Sequence, residues 1–250
     1  MLTNLRSRLK ELFFPVRYRR WRVRATLKKL GTEYGGWIIP VEWLNERSVC
    51  YLAGAGEDIS FDTSLAGHFR CDVYIFDPTP RAKAHFDNVV ASADTGRPMT
   101  LYGKYRYEID RESARRLHFR EVGLWTRSDT VKFFAPRDGS HVSHSISNLQ
   151  DTDSFFEAKV ERLSDIMRSN GHDKIDLLKL DIEGAEFDVI ESILEDKLPV
   201  AILCVEFHTD QSGKPDAIQA AVKKLEDSGY AVIARENLDF TFVHKQIANR

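Results

Sequence analysis

The chain has 250 residues, enough for one large domain with a proper hydrophobic core. Its 42% hydrophobic and 30% charged residues describe a soluble globular protein, and no apolar run approaches the ~20 residues of a membrane span or resembles a signal peptide. Three scattered cysteines without CxxC spacing exclude a disulfide framework and a zinc site, and predict reduced core residues in a cytoplasmic protein.

The net charge of −2 hides an asymmetry. Residues 1–30 hold ten Lys or Arg against the single acid Glu11, so the remaining chain is strongly acidic. The expected organisation is a basic N-terminal helical extension over 1–30 and a catalytic domain over 31–250. Within the extension, Leu2, Leu5, Leu9, Leu12 and Phe13 predict a short amphipathic helix before Pro15, and Tyr18–Leu30 a second basic helix. The extension is expected to pack on the domain, with a peripheral contact at the inner face of a membrane as the functional alternative.

Gly31-Thr32-Glu33-Tyr34-Gly35-Gly36-Trp37 reads as a turn-rich segment, either a loop over a ligand mouth or a linker. After it, the apolar run Val49–Ala53 ends in Gly54-Ala55-Gly56, and a helix is expected over Ile59–Phe69. A second apolar run, Val73–Phe76, ends in Asp77-Pro78. Strand, glycine turn, helix, strand and terminal acid outline half of a nucleotide-binding α/β domain. The glycines allow a sharp turn against a ligand, and Asp77 can accept both hydroxyls of a ribose. A dinucleotide fold would want a third glycine where Ile59 stands. Glu57 and Asp58 suit a helix N-terminus but repel a diphosphate, so S-adenosylmethionine, with a sulfonium, an ammonium and no phosphate, fits better.

Downstream, a helix is expected over Arg81–Ala91, an irregular stretch over 92–120, and a third parallel strand at His118–Trp125. Thr130–Ala135 reads as an antiparallel excursion. The polar loop Asp138–Asp153, with His141, Ser143, His144, Ser145 and Ser147, is a lid or a connector, and Glu157–Ser169 a short amphipathic helix. The strand Ile175–Leu180 runs into Asp181-Ile182-Glu183-Gly184-Ala185-Glu186 and a helix Glu186–Glu195. The most apolar strand, Val200–Val205, ends in Glu206-Phe207-His208-Thr209-Asp210. A helix over Pro215–Ser228 and a hairpin of Tyr230–Arg235 with Phe240–His244 close the chain. The pattern predicts an α/β doubly wound, Rossmann-like sheet, mostly parallel, with an antiparallel C-terminal edge strand.

Ligands of such sheets bind beyond the carboxyl ends of the strands. That edge collects Gly54, Ala55, Gly56, Glu57 and Asp58, then Asp77 and Pro78, Val122 and Gly123, Asp181 and Glu183, and Glu206 and His208. Residues i and i+2 of extended backbone share a side, so Asp181 can join Glu183, and Glu206 can join His208. Methyl transfer to a hydroxyl needs positioning and gains from a general base, for which His208 and Asp181 compete. The same carboxylates could instead hold Mg²⁺ or Ca²⁺, or Asp181 and Glu183 could simply cap the following helix. No metal is expected.

The block Leu177-Leu178-Lys179-Leu180-Asp181-Ile182-Glu183-Gly184-Ala185-Glu186 closely resembles the LKxDxEGxE signature of FkbM-type S-adenosylmethionine-dependent methyltransferases. GAGEDISFD (54–62), FDPTP (76–80) and VEFH (205–208) are similar to that family's other blocks, in the same order, and GTEYGGW (31–37) to the lead-in of a bacterial branch. The resemblance implies that the Gly54–Asp58 turn holds the methionine part of the donor, Asp77 its ribose, residues around Val122 the adenine, and that Asp181 lies near the transferred methyl. It implies O-methylation of a small-molecule or glycan acceptor, a hydroxyl on a saccharide, glycolipid or natural product.

Two other readings compete. An NAD-dependent oxidoreductase would need the missing third glycine, and no Tyr-x-x-x-Lys pair is present. A nucleic-acid-binding protein led by the basic arm would have to bring phosphates to an acidic strand edge, so no nucleic-acid partner is expected.

Overall fold

A computed structural model describes residues 16–97, 99–101, 103–107, 109–135, 145–146, 152–208 and 215–246. The helix expected before Pro15, most of the loop 138–153, and Thr209-Asp210 lie outside the described residues.

The strands are β1 (Leu27–Leu30), β2 (Trp37–Pro40), β3 (Val49–Ala53), β4 (Asp72–Phe76), β5 (Thr100–Leu101), β6 (Tyr105–Arg106), β7 (Leu117–Arg120), β8 (Gly123–Trp125), β9 (Asp129–Phe134), β10 (Phe155–Arg162), β11 (Ile175–Leu180), β12 (Val200–Glu206), β13 (Tyr230–Glu236) and β14 (Asp239–His244). The helices are α1 (Ser60–Phe69), α2 (Pro80–Thr95), α3 (Arg111–Ala114), α4 (Leu163–Asn170), α5 (Glu186–Glu195) and α6 (Pro215–Asp227).

Seven strands form the main sheet in the order β13-β14-β12-β11-β3-β4-β7. The five from β12 to β7 run parallel, and β14 pairs antiparallel with both β12 and β13. The expected Rossmann-like sheet is therefore present, and its antiparallel strand sits one place in from the edge that β13 forms.

Alternation along the central strands explains why both faces are covered. Tyr51, Leu178 and Leu203 belong to a core with Ile166, Val189, Ile193 and Val222 of α4, α5 and α6. Cys50, Leu52, Leu177 and Cys204 belong to the opposite core with Phe61, Leu65 and Val89 of α1 and α2. Near-continuous apolar strands are what two-sided burial requires, and each large side chain so buried contributes roughly 1.5–3 kcal/mol. The three cysteines are free and buried, as the sequence predicts.

Two helix expectations are corrected. Tyr18–Leu30 is not a helix: residues 16–26 hold neither helix nor strand, and β1 then pairs antiparallel with β2. Trp21 N donates to Val232 O at 2.7 Å, Arg20 Nε to Ile233 O at 2.8 Å, and Tyr18 packs edge-on against Phe240. Bonds to the outer strand β13 outweigh the helical propensity of a basic segment. Glu157–Ser169 divides likewise, because its first residues belong to β10, which pairs in parallel with β8 and antiparallel with β9. Only Leu163 onward is helical.

The third parallel strand ends earlier than expected. β7 stops at Arg120, and β8 leaves the main sheet for the small β8-β10-β9 sheet. No helix among the described residues is long and apolar enough to cross a membrane.

Candidate active site

A cavity of about 850 Å³ opens beyond the carboxyl ends of the parallel strands. Most of the residues expected at that edge line it: Gly54 to Asp58, Asp77, Pro78, Gly123, Asp181, Glu183, Glu206 and His208. The segment Glu33–Trp37 forms part of its wall, and Tyr34 there is 80% exposed. Val122 is the exception. Its side chain is buried in the core, while Gly123 and Leu124 reach the cavity instead.

The glycine turn depends on close backbone approach. Gly54 has φ +84°, and a Cβ built on it would stand 1.7 Å from the Asp181 carbonyl oxygen. Asp77 anchors the turn from the neighbouring strand. Its Oδ2 accepts from Ala55 N at 2.9 Å and Gly56 N at 3.0 Å, and its Oδ1 from Thr79 N at 2.8 Å and Thr79 Oγ1 at 2.5 Å. Those four bonds use the roughly four acceptor positions of a carboxylate. Asp77 therefore shapes the turn, and a ribose hydroxyl would reach it by replacing the Thr79 hydroxyl.

Glu57 and Asp58 also have structural partners. Glu57 pairs with Arg81 at 2.8 Å. Asp58 accepts from Thr32 Oγ1 at 2.6 Å and from Ser60 N at 3.0 Å, tying the Gly31–Trp37 segment to the start of α1.

Lys179, which the sequence reading passed over, lies at the cavity floor with only 4% of its surface exposed. Its Nζ donates to the Gly54 carbonyl at 2.5 Å and lies 3.0 Å from Asp181 Oδ2. Burial works against the ammonium, but Asp181 and Asp62 outweigh it and hold its pKa above the ordinary lysine value. Asp62 is buried as well, and burial pushes its carboxyl up to about 7 against the pull of Lys179. A lysine inside an apolar strand run was the visible signal.

At the ends of β11 and β12 the expected i, i+2 pairs converge. His208 Nε2 stands 3.9 Å from Asp181 Oδ1, 3.6 Å from Glu183 Oε2 and 3.7 Å from Glu206 Oε1. His208 Nδ1 lies 2.9 Å from Oε1 of the fully buried Glu186. Glu186 also accepts from Ile182 N and Gly184 N. The sequence reading took Glu186 only as a helix start; here it anchors the turn and the imidazole together.

Burial disfavours a charged His208, yet the Glu186 hydrogen bond and the Glu183 and Asp181 charges raise its pKa to about 10. The carboxylates around the ring favour a positive charge at this end of the cavity. Burial, then Asp181 and Asp239, push Glu206 up to about 8. Burial also raises Asp181, but Lys179 and His208 bring it below the ordinary aspartate value.

Residues 54–232 match the family described as the methyltransferase FkbM domain. No curated protein sequence matches the chain. Among solved structures, an rRNA methylase from Streptococcus thermophilus is 16% identical, with TM-score 0.42, over 80% of this chain and 87% of that one. A putative methyltransferase from Streptococcus mutans, in complex with SAH, is 13% identical, with TM-score 0.42, over 80% and 88%. The Methanococcus jannaschii fibrillarin pre-rRNA processing protein is 10% identical, with TM-score 0.43, over 80% and 68%. Likenesses this distant say nothing about the acceptor.

Proposed function

This chain belongs to the FkbM family of S-adenosylmethionine-dependent methyltransferases, and we propose that it methylates a hydroxyl of a saccharide, glycolipid or natural product. One observation carries the reading. A single cavity joins the glycine turn at Gly54–Asp58 to a floor of Asp181, Glu183, Glu206 and Asp239 around His208.

The residues present fit the cofactor. Gly54 leaves the turn without a side chain, and the cavity's acids Glu57, Asp58 and Asp77 favour a cationic ligand over a phosphate. When bound, S-adenosylmethionine supplies an electrophilic methyl group. Gly54–Asp58 would hold its methionine part, Asp77 and Pro78 its ribose, and Gly123 with Leu124 would border its adenine. Lys179 holds the Gly54 carbonyl and the Asp181 carboxylate in fixed relation, which sets donor and acceptor sides against each other. Asp181, Glu183 and His208 would orient the acceptor, and several carboxylates side by side suit a ligand with several hydroxyl donors.

The acid floor disfavours nucleic-acid phosphates. Exposed Arg19, Arg22, Arg24 and Lys28 support a contact between this segment and anionic lipid, at the inner face of a membrane in the cytoplasm.

Calorimetric titration with S-adenosylhomocysteine, with NAD and ADP as controls, tests the donor half. Micromolar binding of the first alone is expected, and selective NAD binding would refute the reading. Transfer of labelled methyl to members of a saccharide and glycolipid panel tests the acceptor half. Label found only on protein or RNA would replace the acceptor class.

A further inference from the structure

His208 does not pair closely with any one of the carboxylates in front of it. The separations to Asp181, Glu183 and Glu206, from 3.6 to 3.9 Å, are too long for hydrogen bonds. One ligand atom each from Asp181, Glu206 and His208 lies within 4.8 Å of the other two. Two atoms bound to one cation at about 2.1 Å stand roughly 3.0–4.2 Å apart, depending on the angle between them. The 3.7 and 3.9 Å separations fall in that interval.

A second feature lies outside this triad. Glu186, fully buried, takes the Nδ1 side of the ring at 2.9 Å and is itself held by two backbone N–H groups. With Nδ1 so committed, Nε2 is the nitrogen turned to the cavity. A carboxylate behind a histidine is the arrangement that fixes the tautomer and raises the basicity of a metal-ligating imidazole. Asp181 is likewise divided, with Oδ2 on Lys179 and Oδ1 toward His208.

We propose that Asp181, Glu206 and His208 form a divalent-cation site at the acceptor side of the cavity, against the expectation from sequence that no metal is held. Two carboxylate oxygens and one imidazole suit a hard-to-borderline ion such as Mn²⁺, with open positions for water and a substrate oxygen. A hydroxyl bound there loses its proton more readily: the O–H bond breaks, the proton passes to cavity water, and the oxygen keeps the electron pair as a cation-held alkoxide. That role rests on the methyltransferase reading; the cation site itself does not.

The test uses the full chain after chelator treatment and desalting. Mn²⁺ is titrated in and the free ion followed by its paramagnetic resonance signal, with S-adenosylhomocysteine titrated separately. One Mn²⁺ per chain at micromolar affinity is expected. Glu206→Gln and His208→Gln should each weaken it at least tenfold, and Glu186→Gln should weaken it through misorientation of the ring. Circular dichroism and urea unfolding serve as folding controls. Undiminished free signal at millimolar Mn²⁺, or binding unchanged in folded variants, would overturn the site. Mn²⁺ binding without S-adenosylhomocysteine binding would uphold the cation site and remove the methyltransferase reading. Donor binding without Mn²⁺ would do the reverse.

Discussion

Lys179 Nζ sits between the Gly54 carbonyl oxygen and Asp181 Oδ2, joining the turn after β3 to the acid after β11 with one buried charge. Removing one partner of a buried pair leaves the other uncompensated and costs about 3–5 kcal/mol. Lys179→Met is therefore expected to lower unfolding free energy by that order and to weaken S-adenosylhomocysteine binding. Lys179→Met combined with Asp181→Asn should cost less than the sum of the single changes, because both charges are then gone. Urea unfolding of the four proteins measures this, and strict additivity would show the pair is not coupled.

Gly54→Ala and Gly96→Ala separate two costs of replacing a glycine. Both have positive φ, +84° and +66°, but a Cβ at Gly54 meets the Asp181 carbonyl at 1.7 Å, while at Gly96 nothing lies within 4 Å. Gly96→Ala should lose only the ~1–2 kcal/mol of left-handed backbone. Gly54→Ala must also push β3 from β11, so it should cost more than the control and abolish donor binding. Equal thermal stability of the two variants would contradict the close approach.

The central strands and the α5 start were legible because two-sided burial writes itself as short apolar runs between turn signals. Period-2 spacing at the end of β12 anticipated Glu206 beside His208, whereas Glu183 reaches the same cluster from a turn in which its own φ is +54°. The same period was present, and misread, in Trp21-Arg22-Val23-Arg24-Ala25-Thr26-Leu27-Lys28, where inward and exposed residues alternate without exception. Its basic composition suggested a helix; its spacing pointed to extended chain. Lys179 and Glu186 were in view, but their partners are backbone groups and side chains that only the fold brings near. Hydrogen bonds such as those Asp77 accepts from Ala55 N and Gly56 N leave no trace in residue type, so its anchoring role is visible only in the fold.

Asp77 and Thr79 give the third prediction. Asp77→Ala removes four accepted hydrogen bonds at the turn and should reduce S-adenosylhomocysteine affinity ten- to a hundredfold, since a bond to a charged group contributes about 1.5–3 kcal/mol. Thr79→Val removes one donor from Oδ1 and leaves that lone pair for a ribose hydroxyl. Its side chain also caps α2, so about 1 kcal/mol of stability should go while donor affinity holds or tightens. Calorimetry on both variants decides it. A Thr79→Val protein that binds as weakly as Asp77→Ala would mean the hydroxyl serves the donor directly.

Asp62 connects the buried floor to pH. Its folded pKa, raised to about 7 by burial, stands well above the ~3.9 of an unfolded chain. Between those values the folded state holds a proton that the unfolded state has released. The unfolded state thus binds fewer protons, and stability falls as pH rises across this window, by up to about 1.4 kcal/mol per pH unit from this group. Asp62→Asn carries no titrating proton, so its profile should lack that slope. Relative to the parent, the variant should gain stability steadily from pH 5 to pH 7, with the gain levelling off once Asp62 is ionised in both states. Urea unfolding of the two proteins at pH 5, 6, 7 and 8 measures the difference. Parallel profiles would show that Asp62 is already ionised at pH 5, held by Lys179 more tightly than burial opposes it.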